Sequence, residues 1–345
     1  MPSKSVAITP SDIEKAAVAI AGVANRTPVL SSSDVNQRVR ATVYFKCENF
    51  QQTGAFKFRG AYNAVSRLTD AQKRLGVVAY SSGNHAKGIA LAARNLGVQA
   101  TVVMPHSAPV TKLRAAEEYG AHIVLYDPDR DDREEIANDL ANKSGAMLIA
   151  SSEHPDVIAG QGTVAKELID ETGPLDYLFV PVGGGGLLAG SAIAAAHWSA
   201  GCRVIGVEPQ MGNDAQQSLR AGAIIHIPFP ATIADGARNQ SIGAMVLPVL
   251  QAHVNDIVTV SDVQLFEQMR FFVERMNLVA EPTGCLAAAA VMNGIVDVVG
   301  ARVGIVVTGG NVDVQMLREL LGDESSVARA QKKFYNEFGR STAVV

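Results

Sequence analysis

Cysteine is scarce in this chain and histidine forms no pairs. Cys47, Cys202 and Cys285 are three in number, widely spaced and without a CxxC pair. That count argues against a disulfide framework and against a zinc site. The seven histidines are scattered, with no HxxxH or HExxH spacing. Basic residues are not in excess: the net charge is −4 and the pI near 6.0, so no positive field exists to attract nucleic acid. No apolar run approaches the length of a membrane span. No fixed-period repeat, low-complexity linker or long tail of one charge sign interrupts the chain.

What is present is a chain of 345 residues, 48% hydrophobic and 19% charged, with 31 glycines. That suffices for one large domain or two ordinary ones, each with a core. The stretch "AAVAIAGVA" (16–24) faintly resembles a signal core, but Asp12 and Glu14 precede it and "TPSD" (9–12) reads as a helix start. An ordinary N-terminal helix and a cytoplasmic protein are expected.

Short Val- and Ile-rich runs alternate with helical stretches almost from end to end. "VYFKCENF" (43–50), "VVAYS" (77–81), "ATVVMP" (100–105), "HIVLYD" (122–127), "AMLIAS", "YLFVPV", "CRVIGVE" and "RVGIVVTGG" read as strands. The order is βαβα throughout, which predicts an α/β protein with a parallel sheet covered on both faces. "YDPDRDDREE" (126–135) reads as a solvated turn and helix start.

Four stretches carry chemistry. In "QQTGAFKFRGAYNAV" (51–65), Lys57 stands between Phe56 and Phe58 before a helix. The ordinary reading is a lysine whose stem covers the helix start while its head reaches water. The sharper one is an amine in an apolar pocket, where desolvation favours the free base able to form a Schiff base. "YLFVPVGGGGLLAG" (177–190) sets four glycines, Gly183, Gly184, Gly185 and Gly186, between a strand and a helix. Bare amides at a helix N-terminus form a phosphate site. The same turn formally matches a dinucleotide fingerprint, with Glu208 placed as a ribose-binding acid would be, so an NAD-dependent oxidoreductase is the rival reading. "SSGNHAKG" (81–88) joins a strand to a helix and suits a carboxylate at the helix N-terminus, or simply a Ser or Asn cap. "GIVVTGGNVD" (304–313) ends a strand with Thr308, where α/β sheets place ligand groups.

Together these motifs resemble the fold-type II pyridoxal-phosphate enzymes, specifically the threonine dehydratase and serine racemase branch. The resemblance runs from about residue 10 to about 322 in the family's order, and "TGAFKFRGA" after "KCEN" is its specific part. The cysteine-synthase branch has an aspartate after its lysine, whereas Phe58 stands here. The resemblance implies two open, twisted, mostly parallel sheets flanked by helices. A large domain would comprise 1–70 plus 153–322, a small substrate-closing domain 71–152, and a tail 323–345. A homodimer or homotetramer is implied, with no nucleic-acid or membrane partner.

By resemblance, Lys57 carries pyridoxal 5'-phosphate as a Schiff base and the four glycines cradle its phosphate. Phe56 packs beside the ring, Asn84 bonds the ring hydroxyl, and Thr308 faces the pyridine nitrogen. Ser82, Gly83, Asn84 and His85 take the substrate carboxylate. A hydroxyl such as that of Thr308 cannot hold the pyridine nitrogen protonated as a carboxylate would, so the ring is a weaker electron sink and prompt β-elimination suits it. The implied reaction begins with removal of the α-proton by the freed Lys57 amine. The β-hydroxyl then leaves as water, and the enamine hydrolyses to a 2-keto acid and ammonia. Ser82 matches serine racemases, where a hydroxyl opposite the lysine returns a proton. "EPQMGND" (208–214) resembles the branch's cation loop, with Glu208, the Gly212 carbonyl and Asp214 as oxygen donors for Mg²⁺, Mn²⁺ or Ca²⁺. The plainer alternative has Asp214 capping the helix 214–221.

Two stretches depart from the pattern: "EHPDVIAGQG" (153–162) is shorter than in animal serine racemases, and "TIADGARNQSIG" (232–243) keeps the family's Asp235-Gly236 but differs in the residues that follow. The expected substrate is L-threonine or L-serine, with a regulatory extension absent. 3-Hydroxyaspartate, phenylserine and racemisation remain alternatives. A second carboxylate would need a cation, and Arg133 resembles a substrate-side arginine of serine racemases; a surface ion pair is its plainer role.

Overall fold

A computed structural model describes residues 8–81, 83–108, 110–320 and 322. Its first helix, α1 (Pro10–Ile20), starts where the Thr-Pro-Ser-Asp stretch predicts. Thr9 and Asp12 form a capping box, and Pro10 fills a position whose amide has no helical partner. The strand β1 (Val29–Leu30), helix α2 (Ser33–Val39) and strand β2 (Thr42–Cys47) follow. β2 is shorter than the run 43–50 predicts, because the chain turns after Cys47 and buries Glu48 against an arginine.

The middle of the chain alternates helix and strand. It comprises α3 (Lys57–Ser66), α4 (Asp70–Leu75), β3 (Val77–Tyr80), α5 (Asn84–Asn95), β4 (Ala100–Pro105), α6 (Val110–Glu118), β5 (His122–Tyr126), α7 (Arg133–Ser144) and β6 (Met147–Leu148). The last part runs α8 (Pro155–Thr172), β7 (Tyr177–Pro181), α9 (Gly186–Trp198), β8 (Arg203–Pro209), α10 (Asp214–Ala221), α11 (Val246–His253), β9 (Asp256–Val260), α12 (Asp262–Met276), α13 (Pro282–Met292), β10 (Arg302–Val307) and α14 (Val314–Leu320). The "AMLIAS" run yields only the two-residue β6. The edge strand β9 has too short and alternating an apolar pattern to stand out in the sequence.

Two sheets result. The larger has six strands in the order β1-β2-β10-β7-β8-β9, parallel except for β1, and the smaller has four parallel strands ordered β5-β4-β3-β6. Separate apolar layers cover the two faces of the larger sheet, one around Phe45, Phe179 and Phe272 and the other around Leu178, Leu188 and Ile257. Helices α9 and α13 are apolar around most of their circumference and buried along most of their length, as helices packed inside a protein must be. Among the described residues no helix is long and apolar enough to cross a membrane.

Helix α3 begins at Lys57, so what fixes α3 fixes that lysine. One face crosses α8 so closely that a Cβ on Gly160 would lie 2.6 Å from the Gly60 Cα, an approach only a bare backbone permits. Its other tie is ionic. Arg59 Nε and Nη2 donate to the two Glu48 oxygens at 2.8 and 2.9 Å, and its Nη1 and Nη2 to the Glu167 oxygens at 2.7 and 2.8 Å. Lys46 Nζ joins Glu167 at 2.7 Å. Lys46, Glu48 and Arg59 are all 0% exposed, so two acids and two bases balance inside the protein with their hydrogen-bonding positions matched.

The carboxyl ends of the strands then carry the candidate residues. β10 runs to Val307, just before Thr308, β7 leads into the glycine turn, β3 ends at Tyr80 shortly before α5, and β8 closes with Glu208 and Pro209. Crevices at such strand ends are where open α/β sheets hold ligands.

Candidate active site

Lys57 is the first residue of α3. Its Nζ donates to the Ser151 carbonyl at 3.0 Å and lies 5.1 Å from the centre of the Phe56 ring. No carboxylate offsets the loss of water, and burial brings the amine down to about 8. A lysine there is far closer to the free base at neutral pH than an ordinary one.

The turn Gly183–Gly186 leads from β7 into α9. Gly185 adopts φ +81°, a left-handed conformation that glycine takes without strain. A Cβ on Gly183 would lie 2.5 Å from the Gly236 carbonyl oxygen, and one on Gly184 2.9 Å from Ser152 Cβ. Side chains are thus excluded from a cradle walled by Ser152, Gly236 and Asn239, with the amides of a 13-residue helix at its floor.

The 81–85 loop opens α5. The Gly83 amide donates to Ser81 Oγ at 3.2 Å. Ser82 lies outside the described residues. The Asn84 carboxamide is held from both sides: its Nδ2 donates to Glu281 Oε1 at 2.7 Å, and its Oδ1 accepts from Asn311 Nδ2 at 2.8 Å. Burial, reinforced by the Asp235 charge, pushes the Glu281 carboxyl up to about 7. His85 is buried, with Nε2 3.0 Å from the Ile149 carbonyl, and burial lowers it to about 3, so the ring is neutral. The Nε2–H donates to that carbonyl, which leaves Nδ1 as an acceptor without a partner.

Thr308 is 2% exposed, and its Oγ1 has no hydrogen-bond partner. Its carbonyl accepts from the Phe56 amide at 3.0 Å, which ties the lysine segment to the end of β10. At the cleft mouth Lys112 of α6 pairs with Asp235 at 2.5 Å. Lys87, one turn beyond Asn84, has its amine lowered by burial, a shift opposed by Glu281. Arg133 is exposed at the start of α7, where its guanidinium lies 5.7 Å from the Tyr80 ring centre at the end of β3. Among the described residues it makes that contact and no ion pair.

The 208–214 segment reverses one expectation. Glu208 caps α10, its two oxygens accepting from the Ala215 and Gln216 amides at 3.0 and 2.8 Å. Asp214 is the first residue of the helix, and its Oδ2 is buried without a partner. Burial raises Glu208 well above the usual carboxylate range, with the Asp214 charge adding to it, and pushes Asp214 up to about 7. Glu208 is 0% exposed with both oxygens engaged, so it is withdrawn from any ribose and the dinucleotide reading loses its acid.

Residues 20–309 match the family described as pyridoxal-phosphate dependent enzyme. The chain belongs to that family. An L-threo-3-hydroxyaspartate ammonia-lyase of Pseudomonas sp is 56% identical over 310 residues, covering 90% of this chain and 97% of that protein. A serine racemase of Schizosaccharomyces pombe is 50% identical over 313 residues, covering 91% and 97%. Among solved structures, maize serine racemase aligns with a TM-score of 0.87 at 36% identity, covering 95% of this chain and 99% of that one.

The residues of this pyridoxal-phosphate enzyme fit its cofactor. A desolvated amine, a side-chain-free cradle at a helix N-terminus and the orphaned Thr308 hydroxyl stand on segments tied together by the Phe56–Thr308 and Lys57–Ser151 hydrogen bonds and by Ser152 against Gly184. Glu208 and Asp214 are both buried, the Asp214 charge raises Glu208 further, and Asp214 Oδ2 is unpartnered, so the pair offers hard oxygen donors of the kind a Mg²⁺ or Ca²⁺ shell uses. Among the described residues no three His, Cys, Asp or Glu side chains cluster to hold a metal, so backbone and water oxygens would complete such a shell.

Sequence reasoning missed Ser152, Asn239, Glu281, Asn311 and Lys112. Ser152 borders one segment that departs from the family pattern and Asn239 lies within the other. Glu281 stands before "PTG", a proline-initiated helix, and Asn311 closes the "TGGN" turn, but nothing local in either segment names the partner.

Proposed function

We propose that this enzyme is an ammonia-lyase that dehydrates a β-hydroxy amino acid, preferentially threo-3-hydroxyaspartate, to a 2-keto acid and ammonia. The observation that carries the reading is the unneutralised, desolvated Lys57 amine between a phosphate cradle and a carboxylate loop. The bound cofactor supplies the electron sink for the bond broken at Cα. The chain supplies the rest. Lys57 Nζ would take the α-proton, the α9 amides would hold the phosphate, Asn84 would serve the 3-oxygen of the ring, and Thr308 Oγ1 would serve the ring nitrogen. The amides of 83–85 hold the α-carboxylate. Residues 71–152 act as a small domain closing on the large one (1–70 and 153–322), with Lys112–Asp235 across the mouth. Racemisation is the second reading, supported by the 50% identity to a serine racemase, with Ser82 returning the proton opposite Lys57.

Similarity to the Pseudomonas lyase supports the choice of hydroxyaspartate, as does Arg133 at the start of α7, whose guanidinium lies over Tyr80 at the end of β3. Keto-acid release by purified protein across L- and D-serine, L-threonine and threo-3-hydroxyaspartate tests it. Arg133→Ala is expected to lower kcat/KM for hydroxyaspartate roughly 10- to 100-fold, the worth of a hydrogen bond to a charged group, while serine turnover changes less than about threefold. Equal losses on both substrates would return Arg133 to a purely surface role.

The cation reading makes a prediction with a definite sign. An acid raised by folding holds its proton longer than in the unfolded chain, so without metal stability is greatest below the unfolded pKa and falls as pH rises toward the folded one. For Asp214 that window runs from about 4 to about 7. Mg²⁺ competes with the protons held on the pair. Its stabilisation, about 2–4 kcal/mol near saturation, is expected in full above pH 7 and largely absent near pH 5. Thermal melts with and without EDTA across that range would show it; a metal effect independent of pH would rule out these two carboxylates as the site.

A further inference from the structure

A carboxamide can sit in either of two orientations related by a flip, and only one gives a ligand an N–H. For Asn84 the choice is made elsewhere in the molecule. Asn311 Nδ2 donates to two acceptors, the Thr53 carbonyl at 2.8 Å and Asn84 Oδ1 at 2.8 Å, which uses both of its protons. Flipping Asn311 would set its own oxygen against the Thr53 carbonyl. That carbonyl is fixed in turn, because Thr53 is held at φ +62°, ψ 8°, a conformation a β-branched residue adopts only when its surroundings impose it. Gly54 follows, and a Cβ there would lie 2.7 Å from Asn311 Oδ1, so Asn311 is packed in place.

With its oxygen committed to Asn311, Asn84 turns its nitrogen to Glu281 at 2.7 Å. Glu281 is 4% exposed, and its own amide donates to the Gly309 carbonyl at 3.0 Å. One proton on Asn84 Nδ2 therefore remains uncommitted. Glu281 bonds the loop that Thr308 opens and Asn311 closes that loop, so Thr308 and the two partners of Asn84 share one scaffold.

We infer that Asn311 and Glu281 are positioning residues that hold the Asn84 carboxamide in the one orientation offering an N–H to the 3-oxygen of the cofactor ring. The inference rests on the reading that Asn84 faces that oxygen. A donated N–H stabilises the oxygen as an anion, which favours the long-wavelength tautomer of the lysine-bound chromophore. Turning an acceptor to it favours the neutral hydroxyl tautomer, which absorbs at shorter wavelength.

The test is the ratio of the two absorbance bands in resting holoenzyme, with total cofactor measured after alkaline release. Asn84→Ala is expected to shift the ratio about tenfold toward the short-wavelength band, the worth of one hydrogen bond. Asn311→Asp, the same shape with acceptors only, is expected to shift it by a similar factor by reversing Asn84. Asn311→Ala, which removes the donor without adding charge, is expected to give a smaller shift in the same direction. Glu281→Gln retains an acceptor oxygen and is expected to stay within about twofold of wild type. If Asn84→Ala shifts the bands and neither Asn311 variant does, Asn84 touches the ring but Asn311 does not orient it, and the inference fails alone. If Asn84→Ala leaves the bands unchanged, the placement of Asn84 fails and the inference with it.

Discussion

Replacing Lys57 by alanine is expected to reduce keto-acid release at least 10³- to 10⁴-fold, since one side chain is asked both to anchor the cofactor and to move the α-proton. A positioned general base alone contributes about 10²- to 10⁴-fold, and losing the covalent attachment adds to that. The cofactor's visible absorbance should leave the variant on desalting. Lys57→Arg should be equally inactive, because a guanidinium does not give up its proton in a protein. The structure adds a pH dependence. Burial lowers the amine from 10.5 to about 8, and only the free base attacks an aldehyde. Attachment of pyridoxal phosphate to apoenzyme should therefore quicken with pH and level off above about 8, not above 10. An alanine variant that still releases keto acid at more than about one per cent of the wild-type rate would falsify the assignment.

The second large effect concerns stability. Arg59→Met is expected to cost about 3–5 kcal/mol, because Glu48 loses its cationic partner inside the protein and Glu167 is left with Lys46 alone. Such a loss is a large fraction of the total stability of a typical protein. Arg59 makes four of the network's ionic hydrogen bonds, the two to Glu48 fully buried and the two to Glu167 partly so. Lys46→Met should cost less, about 1–2 kcal/mol, since Glu167 keeps Arg59 and is itself 18% exposed. Denaturant midpoints for the two variants against wild type measure the difference. Because Arg59 stands two residues after Lys57 on α3, its loss should also loosen the cofactor. An Arg59→Met midpoint no lower than that of Lys46→Met would mean the network is not what anchors this helix.

Much of this protein can be read directly from its residues, and the reason is range. The βα alternation, the glycine turn before α9, Lys57 between two phenylalanines and Thr308 at a strand end are each set within about ten residues. Hydrophobic period, backbone freedom and the chemistry of one side chain act locally, so the sequence by itself determined the class and the cofactor's family, and singled out Lys57 as the candidate. Even the α1 capping box is legible from Thr9 to Asp12.

Only the tertiary structure decided the partners. In "EPQMGND" the sequence offers Asp214 as a cap, but the fold gives the capping to Glu208 and leaves Asp214 with an orphaned oxygen. Arg133 stands among acids in the sequence, yet lies over Tyr80 from another element. Glu281 meets Asn84 across 197 residues, and Asn311 meets it across 227. Glu167 reaches Arg59 across 108. A hydrogen bond's worth depends on the burial and direction of both groups. Those are properties of two strand ends and a helix brought together, and no single segment contains them.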